Sequence, residues 1–252
     1  MYLTNEKKLN YSLSGSYYTR KWNDCCPYVY FEKVYGGHSL LKKAANISKY
    51  NEISFHSSMI KESQVNSWEA AGWFPYKKLY VCDQNMKYFS KNTVENSTNV
   101  SQKSLEISDF SNLLDLDEAI FEPYWRNSIN SFHETLKSCL NNYLFIQKKK
   151  DEIIGYAILG ETRKLSYLQR IGVSKNHQKQ GYGDELLKSV LTFSKKKKFL
   201  TMRLNTQETN ESALNLYKKN GFSIQKNKLV IMCTEKNAVS YTHLRAHETR
   251  IH

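Results

Sequence analysis

A polar turn with two glycines constrains the fold of this chain more than any other stretch. The turn follows an apolar run that ends at Val173, and it leads through Gln178, Gly181 and Gly183 into residues with apolar side chains at helical spacing. Glycines let a backbone approach a ligand closely, and a helix that begins there points unpaired N–H groups and its positive dipole end forward. The stretch predicts a strand, a cradle suited to a pyrophosphate, and a helix.

A second motif follows further along the chain. A predicted strand at Thr201–Thr206 precedes the pattern Asn210-x-x-Ala213-x-x-Leu216-Tyr217-x-x-x-Gly221-Phe222. Asparagine is a good helix cap, and glycine is the usual left-handed residue after a helix. We therefore expect a helix over Asn210–Asn220.

The residues before the cradle predict two helices and three strands. The helices are expected at Phe110–Phe121, capped by Ser108 or Asp109, and at Ser128–Leu140. Short apolar runs separated by turn-like segments predict consecutive antiparallel strands at Tyr143–Gln147, Ile153–Leu159 and Tyr167–Val173.

Together, in this order, the two motifs resemble the GNAT acetyltransferase family, over roughly Ser104–Glu235. The resemblance implies an α/β fold of the α+β kind, with helices flanking a mixed and mostly antiparallel sheet, and we expect this catalytic domain at residues 104–237. It also implies acetyl-CoA as the acetyl donor, a small-molecule amine or a peptide N-terminus as the acceptor, direct attack without a covalent enzyme intermediate, and no metal.

The resemblance assigns roles to the cradle and its neighbours. Backbone N–H groups of residues 178–184 would hold the pyrophosphate, the end of the preceding strand would pair with the pantetheine arm, and an N–H near Val173 would polarise the thioester carbonyl. Asn210 lies at a coenzyme-binding position and also suits a helix cap. The expected coenzyme-binding residues are Ile171, Gly172, Val173, Gln178, Lys179, Gln180, Gly181, Tyr182, Gly183, Asp184 and Asn210.

The resemblance makes Tyr217 the general acid that protonates the departing thiolate, although the same spacing suits a core tyrosine. Asn205 stands where the ribosomal-protein N-terminal acetyltransferases have a carboxylate, and neither it nor Gln169 can take a proton. The base is therefore a water chain, a more distant carboxylate such as Asp117 or Glu118, or none.

The missing base bears on the acceptor. An α-amine, with a pKa of about 7.7 to 8.0, is far easier to deprotonate near neutral pH than a lysine amine with a pKa of about 10.4. We expect an α-amino or other low-pKa acceptor. Trp125 and Arg126 are expected to line its pocket, with Arg126 facing a carboxylate, and Gln169 and Asn205 are the further acceptor-side candidates.

Residues 1–90 resemble a degenerate copy of the later half of the chain. Gly36–Lys42 aligns with Tyr182–Lys188, and Trp68–Trp73 aligns with Tyr217–Phe222. This alignment predicts an internal duplication, with a smaller degenerate GNAT-like lobe at 1–90 and a polar linker at 91–103. The copy has Trp68 in place of the tyrosine, so we expect a structural role; an unrelated N-terminal extension is the alternative.

The net charge of +13 raises the question of a nucleic-acid partner. Residues 1–103 carry 14 Lys/Arg and 8 Asp/Glu, and residues 104–238 carry 21 and 15. This even spread makes a nucleic-acid partner unexpected, and the run Lys195–Lys198 at a helix end is expected to be a solvated face. With no long apolar run, no signal pattern and no C-x-x-C spacing, the chain is expected to be cytoplasmic, without a membrane partner and with reduced thiols.

Residues 238–252 are expected to be an artefact, because the codons for Val239–Thr249 can be written as a transposase adapter used in sequencing libraries. A zinc site would otherwise be suggested by His243, His247, Glu248 and His252. We do not expect one, because residues translated from an adapter are not part of the natural protein.

Other functions stay open. Ribosomal-protein or peptide N-terminal acetylation is a second enzymatic interpretation, and a non-catalytic acyl-CoA-binding protein or a basic ribosome-associated module is the alternative from a different class. The presence of Gln178, Gly181, Gly183, Asn210 and Tyr217 together favours catalysis.

Overall fold

The computed structural model describes residues 4–89 and 99–236. The strands are β1 (Lys8–Ser12), β2 (Gly15–Lys21), β3 (Val29–Gly36), β4 (Phe55–Ser57), β5 (Ile60–Lys61), β6 (Phe74–Asn85), β7 (Val100–Ser104), β8 (Asn141–Lys149), β9 (Glu152–Glu161), β10 (Leu165–Val173), β11 (Thr201–Gln207) and β12 (Ser223–Cys233). The helices are α1 (His38–Tyr50), α2 (Val65–Glu69), α3 (Phe110–Ile120), α4 (Ile129–Ser138), α5 (Tyr182–Lys196) and α6 (Glu211–Lys219).

The chain forms two compact units. One consists of the described residues of Met1–Leu79 and Asn227–His252, and the other of those of Tyr80–Lys226. The chain passes from one unit to the other within β6 and again within β12. Each unit therefore contains strand residues from both halves of the sequence.

The first unit is built on a mixed sheet. β1, β2 and β3 are antiparallel, β4 runs parallel to β3 from the pair Val29–Phe55, and the end of β12 is antiparallel to β4 and β5. α1 and α2 contribute to its core, where Trp68 and Trp73 pack edge to face with ring centroids 4.8 Å apart. The Trp73 indole N–H donates to the Leu41 carbonyl at 3.0 Å, which satisfies a buried donor.

His56 is buried in this unit among aromatic rings. Its ring stacks on Tyr28 at 4.1 Å and meets Tyr76 edge to face at 4.6 Å. Burial, and secondarily the charge of Lys77, lower the pKa of His56 to about 3. The imidazole is therefore neutral in the folded protein at pH values where it would be charged in the unfolded chain.

This lowered pKa predicts acid sensitivity. A histidine whose pKa is lower in the folded state takes up a proton more readily when the chain unfolds, so stability falls as pH drops through its unfolded pKa. For His56, the free energy of unfolding should decrease by about 2 kcal/mol between pH 7 and pH 5. Urea unfolding of the wild type and His56→Phe at both pH values measures this term. An equal pH dependence in the two proteins would contradict it.

The second unit holds the cradle. β7, β8, β9 and β10 form an antiparallel sheet, and β11 lies parallel to β10 from Leu165–Thr201 to Leu168–Leu204. β6 is the neighbour of β11 in the sheet. Asp83 on β6 forms an ion pair with Arg203 on β11 through two hydrogen bonds of 2.7 Å. One sheet face packs on α5 and α6, and the other packs on α3 and α4. The predicted fold class, a mixed and mostly antiparallel sheet flanked by helices, is confirmed.

The helices and strands predicted for the later half are all present, with ends shifted by a few residues. The predicted boundaries differ from the units. Residues 100–103, assigned to the linker, begin β7, and residues 227–233, assigned to the catalytic domain, pair in the first unit. Composition marks polar stretches, whereas unit membership depends on the sheet in which a strand pairs. Residues 90–98 and the proposed artefact at 238–252 lie outside the described residues.

The order of elements in the two units supports the proposed duplication. In each, antiparallel strands lead into a long helix and then into a strand parallel to the one before that helix. Gly72 and Gly221, which the alignment pairs, both follow a helix with positive φ, at 89° and 83°. A degenerate GNAT-like lobe at 1–90 stays a proposal. In the described ranges, no helix is both long and apolar enough to cross a membrane.

Candidate active site

The cradle is a turn with a run of unpaired backbone donors. Lys179 and Gly181 have positive φ, at 60° and 91°, and α5 begins directly after Gly181. The five backbone N–H groups of residues 179–183 donate no hydrogen bond to any described residue. A Cβ built on Gly181 would meet no atom within 4 Å, so the space in front of the turn is open. Such a set of amides at a helix N-terminus is suited to an anion.

The polar side chains of the turn hold its shape. The Gln178 amide donates to the Val173 carbonyl at 3.0 Å, and the Gln180 amide donates to the Asn176 carbonyl at 3.1 Å. The Gln178 side chain therefore connects the strand end to the turn. The groups left for the expected pyrophosphate contacts are the backbone N–H groups.

Asp184 joins α5 to α6. Its carboxylate accepts from the Asn220 amide at 2.7 Å and from Lys219 and Lys188 at 3.1 and 3.0 Å. Burial raises the pKa of Asp184, but these three hydrogen bonds outweigh burial and leave the pKa below its usual value. The side chain expected to help bind the coenzyme is thus committed to fixing the two helices that flank the cradle.

The end of β10 has an open edge. Its pairing with β11 stops at Leu168–Leu204, while its pairing with β9 continues to Val173–Gly155. Because Ser174 donates to Ile154, the alternation of an antiparallel ladder points the N–H groups of Ile171 and Val173 away from β9. These donors face the edge that β11 has left, where an extended ligand could pair.

A β-bulge in β10 arranges its side chains. The register with β9 shifts between Leu168 and Arg170, and a bulge changes the face on which following side chains lie. Leu168 packs in the core beside α5, whereas Gln169 lies against Cys139 and Gly160, and Arg170 contacts Asp117 of α3. Two successive side chains therefore lie on the face covered by α3 and α4.

Tyr217 lies in the core on α6 and is 6% exposed. Its ring is 5.7 Å from that of Phe222, and within the described part of the chain its hydroxyl has no hydrogen-bond partner. Burial, with the nearby Cys82 as a second cause, raises the pKa of Tyr217 above its usual value. The phenol therefore stays protonated at neutral pH, as a proton donor must.

The two carboxylates considered as bases are both engaged. Asp117 is 1% exposed and accepts from Tyr156, from the Arg170 guanidinium at 2.6 and 2.9 Å, and from the Asn127 backbone at 2.8 Å. Glu118 is exposed and pairs with Arg126 at 2.7 Å. Both carboxylate oxygens of Asp117 therefore accept hydrogen bonds within the protein, and the group is buried.

The expected acceptor-side residues are held by different contacts. Arg126 was expected to face a carboxylate in the acceptor pocket, and in the structure its guanidinium donates to Glu118 of this chain. Trp125 accepts from Arg170 through its carbonyl at 2.7 Å, and its buried indole N–H has no partner among the described residues. Gln169 donates to Ser138 at 2.7 Å. Asn205 is exposed on β11, just past the last residue paired with β10.

Asn210 forms the helix cap of α6, since its side-chain oxygen accepts from the Ala213 N–H at 3.1 Å. The amide nitrogen of this exposed side chain is not used by the cap. Asn210 could therefore cap the helix and donate to a coenzyme at the same time.

Arg170 is the residue that the sequence analysis missed. It pairs with Asp117, stacks over the Phe121 ring at 3.5 Å and donates to Trp125, so it anchors residues 121–127 on β10. A charged residue inside the apolar run Tyr167–Val173 was the available signal, because a buried charge requires a partner. In the described ranges, no three His, Cys, Asp or Glu side chains lie together as a metal site.

Comparison with known proteins gives the family. Residues 110–222 match the model of the Acetyltransferase (GNAT) family. A tandem GNAT protein from the clavulanic acid biosynthesis pathway is similar in structure, with a TM-score of 0.64 and 9% identity over 92% of this chain and 84% of that one. A GCN5-related N-acetyltransferase from Kribbella flavida has a TM-score of 0.59 and 8% identity over 92% and 91%.

A GCN5-related N-acetyltransferase from Sphaerobacter thermophilus has a TM-score of 0.58 and 13% identity over 87% of this chain and 76% of that one. The search of curated proteins gave no match. These structural similarities establish the shared fold, and the residues that the family model matches include the cradle and Tyr217. Residues 110–222 therefore match the Acetyltransferase (GNAT) family, whose general chemistry is acyl transfer.

Proposed function

We propose that the second unit transfers the acetyl group of acetyl-CoA to a primary amine by direct attack. The observation that carries the proposal is the run of five unpaired backbone N–H groups at residues 179–183, at the start of α5. A Cβ on Gly183 would lie 3.7 Å from Leu216 and 3.9 Å from Val173. The cradle, the open end of β10 and the helix of Tyr217 therefore meet at one place.

Each part of this place has a proposed role. Acetyl-CoA supplies an acyl group already activated as a thioester. The amides of residues 179–183 bind its diphosphate, the edge at Ile171–Val173 orients its extended arm, and the Val173 N–H stabilises negative charge on the carbonyl oxygen. Tyr217 donates its phenolic proton to the sulfur when the carbon–sulfur bond breaks. Asn210 supports the coenzyme through its free amide donors.

The acceptor is proposed to be an α-amine or another amine of low pKa. Asp117 is buried and paired with Arg170, and Glu118 is paired with Arg126. The amide side chains of Asn205 and Gln169 cannot accept a proton. Deprotonating a lysine amine near pH 7.4 costs roughly 4 kcal/mol, whereas an α-amine costs well under 1 kcal/mol. A site without a dedicated base suits the second kind, such as a peptide N-terminus or a small amine.

Coenzyme binding and thiol release test these roles together. Free-thiol release from acetyl-CoA should be faster with peptide α-amines than with lysine side chains in a mixed panel of amines. In calorimetry, Gly181→Val should weaken acetyl-CoA binding by about 10-fold or more, because it distorts the cradle and fills its open space. Gly72→Val is the matched control, since it places the same side chain at a similar φ of 89° in the first unit.

The outcomes separate the alternatives. Coenzyme binding without thiol release for any amine would indicate a non-catalytic acyl-CoA-binding protein. No heat with acetyl-CoA, or an equal loss of binding in both glycine variants, would contradict the assigned cradle. Faster turnover of lysine side chains would contradict the proposed acceptor alone.

A further inference from the structure

The second unit has a strongly basic surface at the end of the sheet away from the cradle. Three segments meet there: the residues after β6, the β9–β10 turn, and the end of α5 with the residues that follow. The Leu200 N–H donates to the Lys164 carbonyl, and the Met86 N–H donates to the Leu200 carbonyl, both at 3.0 Å. The Lys195 ammonium donates to the Met86 carbonyl at 2.5 Å.

These contacts gather six exposed cations, which we call the basic end surface. They are Lys87, Arg163, Lys164, Lys196, Lys197 and Lys198. No salt bridge between these six and a described carboxylate is present. The adjacent carboxylate of Glu161 accepts hydrogen bonds from Tyr143 and Asn141. Lys197 interacts electrostatically with the Glu161 carboxylate, which offsets part of the positive charge. The surface keeps an excess of positive charge, because six cations lie around this one carboxylate.

The basic end surface is separate from the coenzyme cradle. α5 begins at the cradle and ends at the lysines, and its 15 residues span about 21 Å at 1.5 Å per residue. Coenzyme phosphates held at residues 179–183 would not reach it. Helix dipoles favour lysines at a C-terminus, which accounts for Lys195 and Lys196 but not for Lys87, Arg163 and Lys164 from other elements.

Exposed apolar groups lie among these cations. Tyr88 is 76% exposed with the Lys87 ammonium 5.9 Å from its ring, and Leu200 is 59% exposed. Lysines around an exposed aromatic ring suit a single-stranded nucleic acid, because the cations neutralise phosphates and the ring stacks on a base. A segment of acidic residues alone would use the charges but has no base to stack on the ring.

We propose that the basic end surface binds single-stranded nucleic acid through its phosphate backbone, with Tyr88 stacking on a base. This site is independent of acetyl transfer and would place the enzyme on a polyanionic partner while the cradle stays open. The even distribution of charge along the sequence conceals the site, because its cations come from three separate segments.

Fluorescence anisotropy of the whole chain with a labelled oligouridine of about 12 nucleotides tests the proposal. With five or six phosphate contacts, log K should fall with log salt at a slope of roughly −4. The triple variant Lys196→Gln, Lys197→Gln, Lys198→Gln should weaken binding by roughly 100-fold at 0.1 M salt and reduce the slope by about 2. The triple variant Lys42→Gln, Lys43→Gln, Lys49→Gln on α1 removes the same charge and should leave binding nearly unchanged.

Two further arms identify the ligand. Tyr88→Ala should weaken oligouridine binding by about 5-fold or more without affecting binding of polyglutamate. Comparing its affinity for an oligothymidine of the same length shows whether the protein distinguishes deoxyribose from ribose. No binding, equal losses in the two triple variants, or tighter binding of polyglutamate than of oligouridine would overturn the proposal. Acetyl-CoA binding should be unchanged in all these variants, so failure here is distinct from failure of the cradle.

Discussion

Tyr217→Phe is expected to lower kcat for acetyl transfer by about 100-fold while the affinity for acetyl-CoA stays within a factor of about three, because a general acid contributes most at the transition state. The hydroxyl has no partner among the described residues, so removing it should leave the free energy of unfolding nearly unchanged. The measurements are steady-state thiol release and urea unfolding of the same variant.

Tyr143→Phe is the matched control for this experiment. Tyr143 belongs to the same core, but its hydroxyl donates to Glu161. Its removal should cost about 1 kcal/mol of stability and leave kcat within about two-fold, the opposite of the Tyr217 result. If Tyr217→Phe turns over at the wild-type rate, Tyr217 is a core residue and the thiolate takes its proton elsewhere.

Asp117→Ala is expected to have the largest effect on stability, a loss of about 3–5 kcal/mol, because it leaves a largely buried Arg170 without its counter-charge. It also removes the acceptor of the Tyr156 hydroxyl and of the Asn127 backbone N–H. Urea unfolding followed by circular dichroism measures the loss.

Glu118→Ala is the control, since it removes the adjacent carboxylate of the same helix from a pair with another arginine. Glu118 is 67% exposed, and exposed pairs contribute about 0–1 kcal/mol. If Asp117→Ala does not fold, the double variant Asp117→Leu, Arg170→Met should be more stable than the single one, because no unpaired charge remains. Equal costs for Asp117→Ala and Glu118→Ala would contradict this account.

Arg170 holds residues 121–127, which include the expected acceptor-side residues. Substitutions that weaken the Asp117–Arg170 network without abolishing it should therefore weaken acceptor binding. A variant that loosens this segment without unfolding the unit would raise KM for the amine more than for the coenzyme, since the proposed coenzyme contacts lie at residues 179–183. The proposed acceptor pocket therefore depends on an ion pair between residues 53 positions apart.

Local signals in the sequence determined the elements of the second unit and the form of its cradle. Gly221 was expected to take a left-handed conformation after its helix, and it has a positive φ of 83°. Apolar periodicity located α5, Asn210 marked the start of α6, and the succession of short apolar runs predicted the antiparallel strands. These features depend on backbone sterics and burial over a few residues, so neighbouring residues suffice to predict them.

Only the tertiary structure decided which distant groups meet. It paired Asp117 with Arg170 and Arg126 with Glu118, so each of the two carboxylates considered as bases has an arginine partner. It placed the end of β12 in the first unit, and it brought cations from three segments to one surface. Charge pairing and strand pairing depend on distances between residues far apart in the chain, and no local pattern encodes those distances.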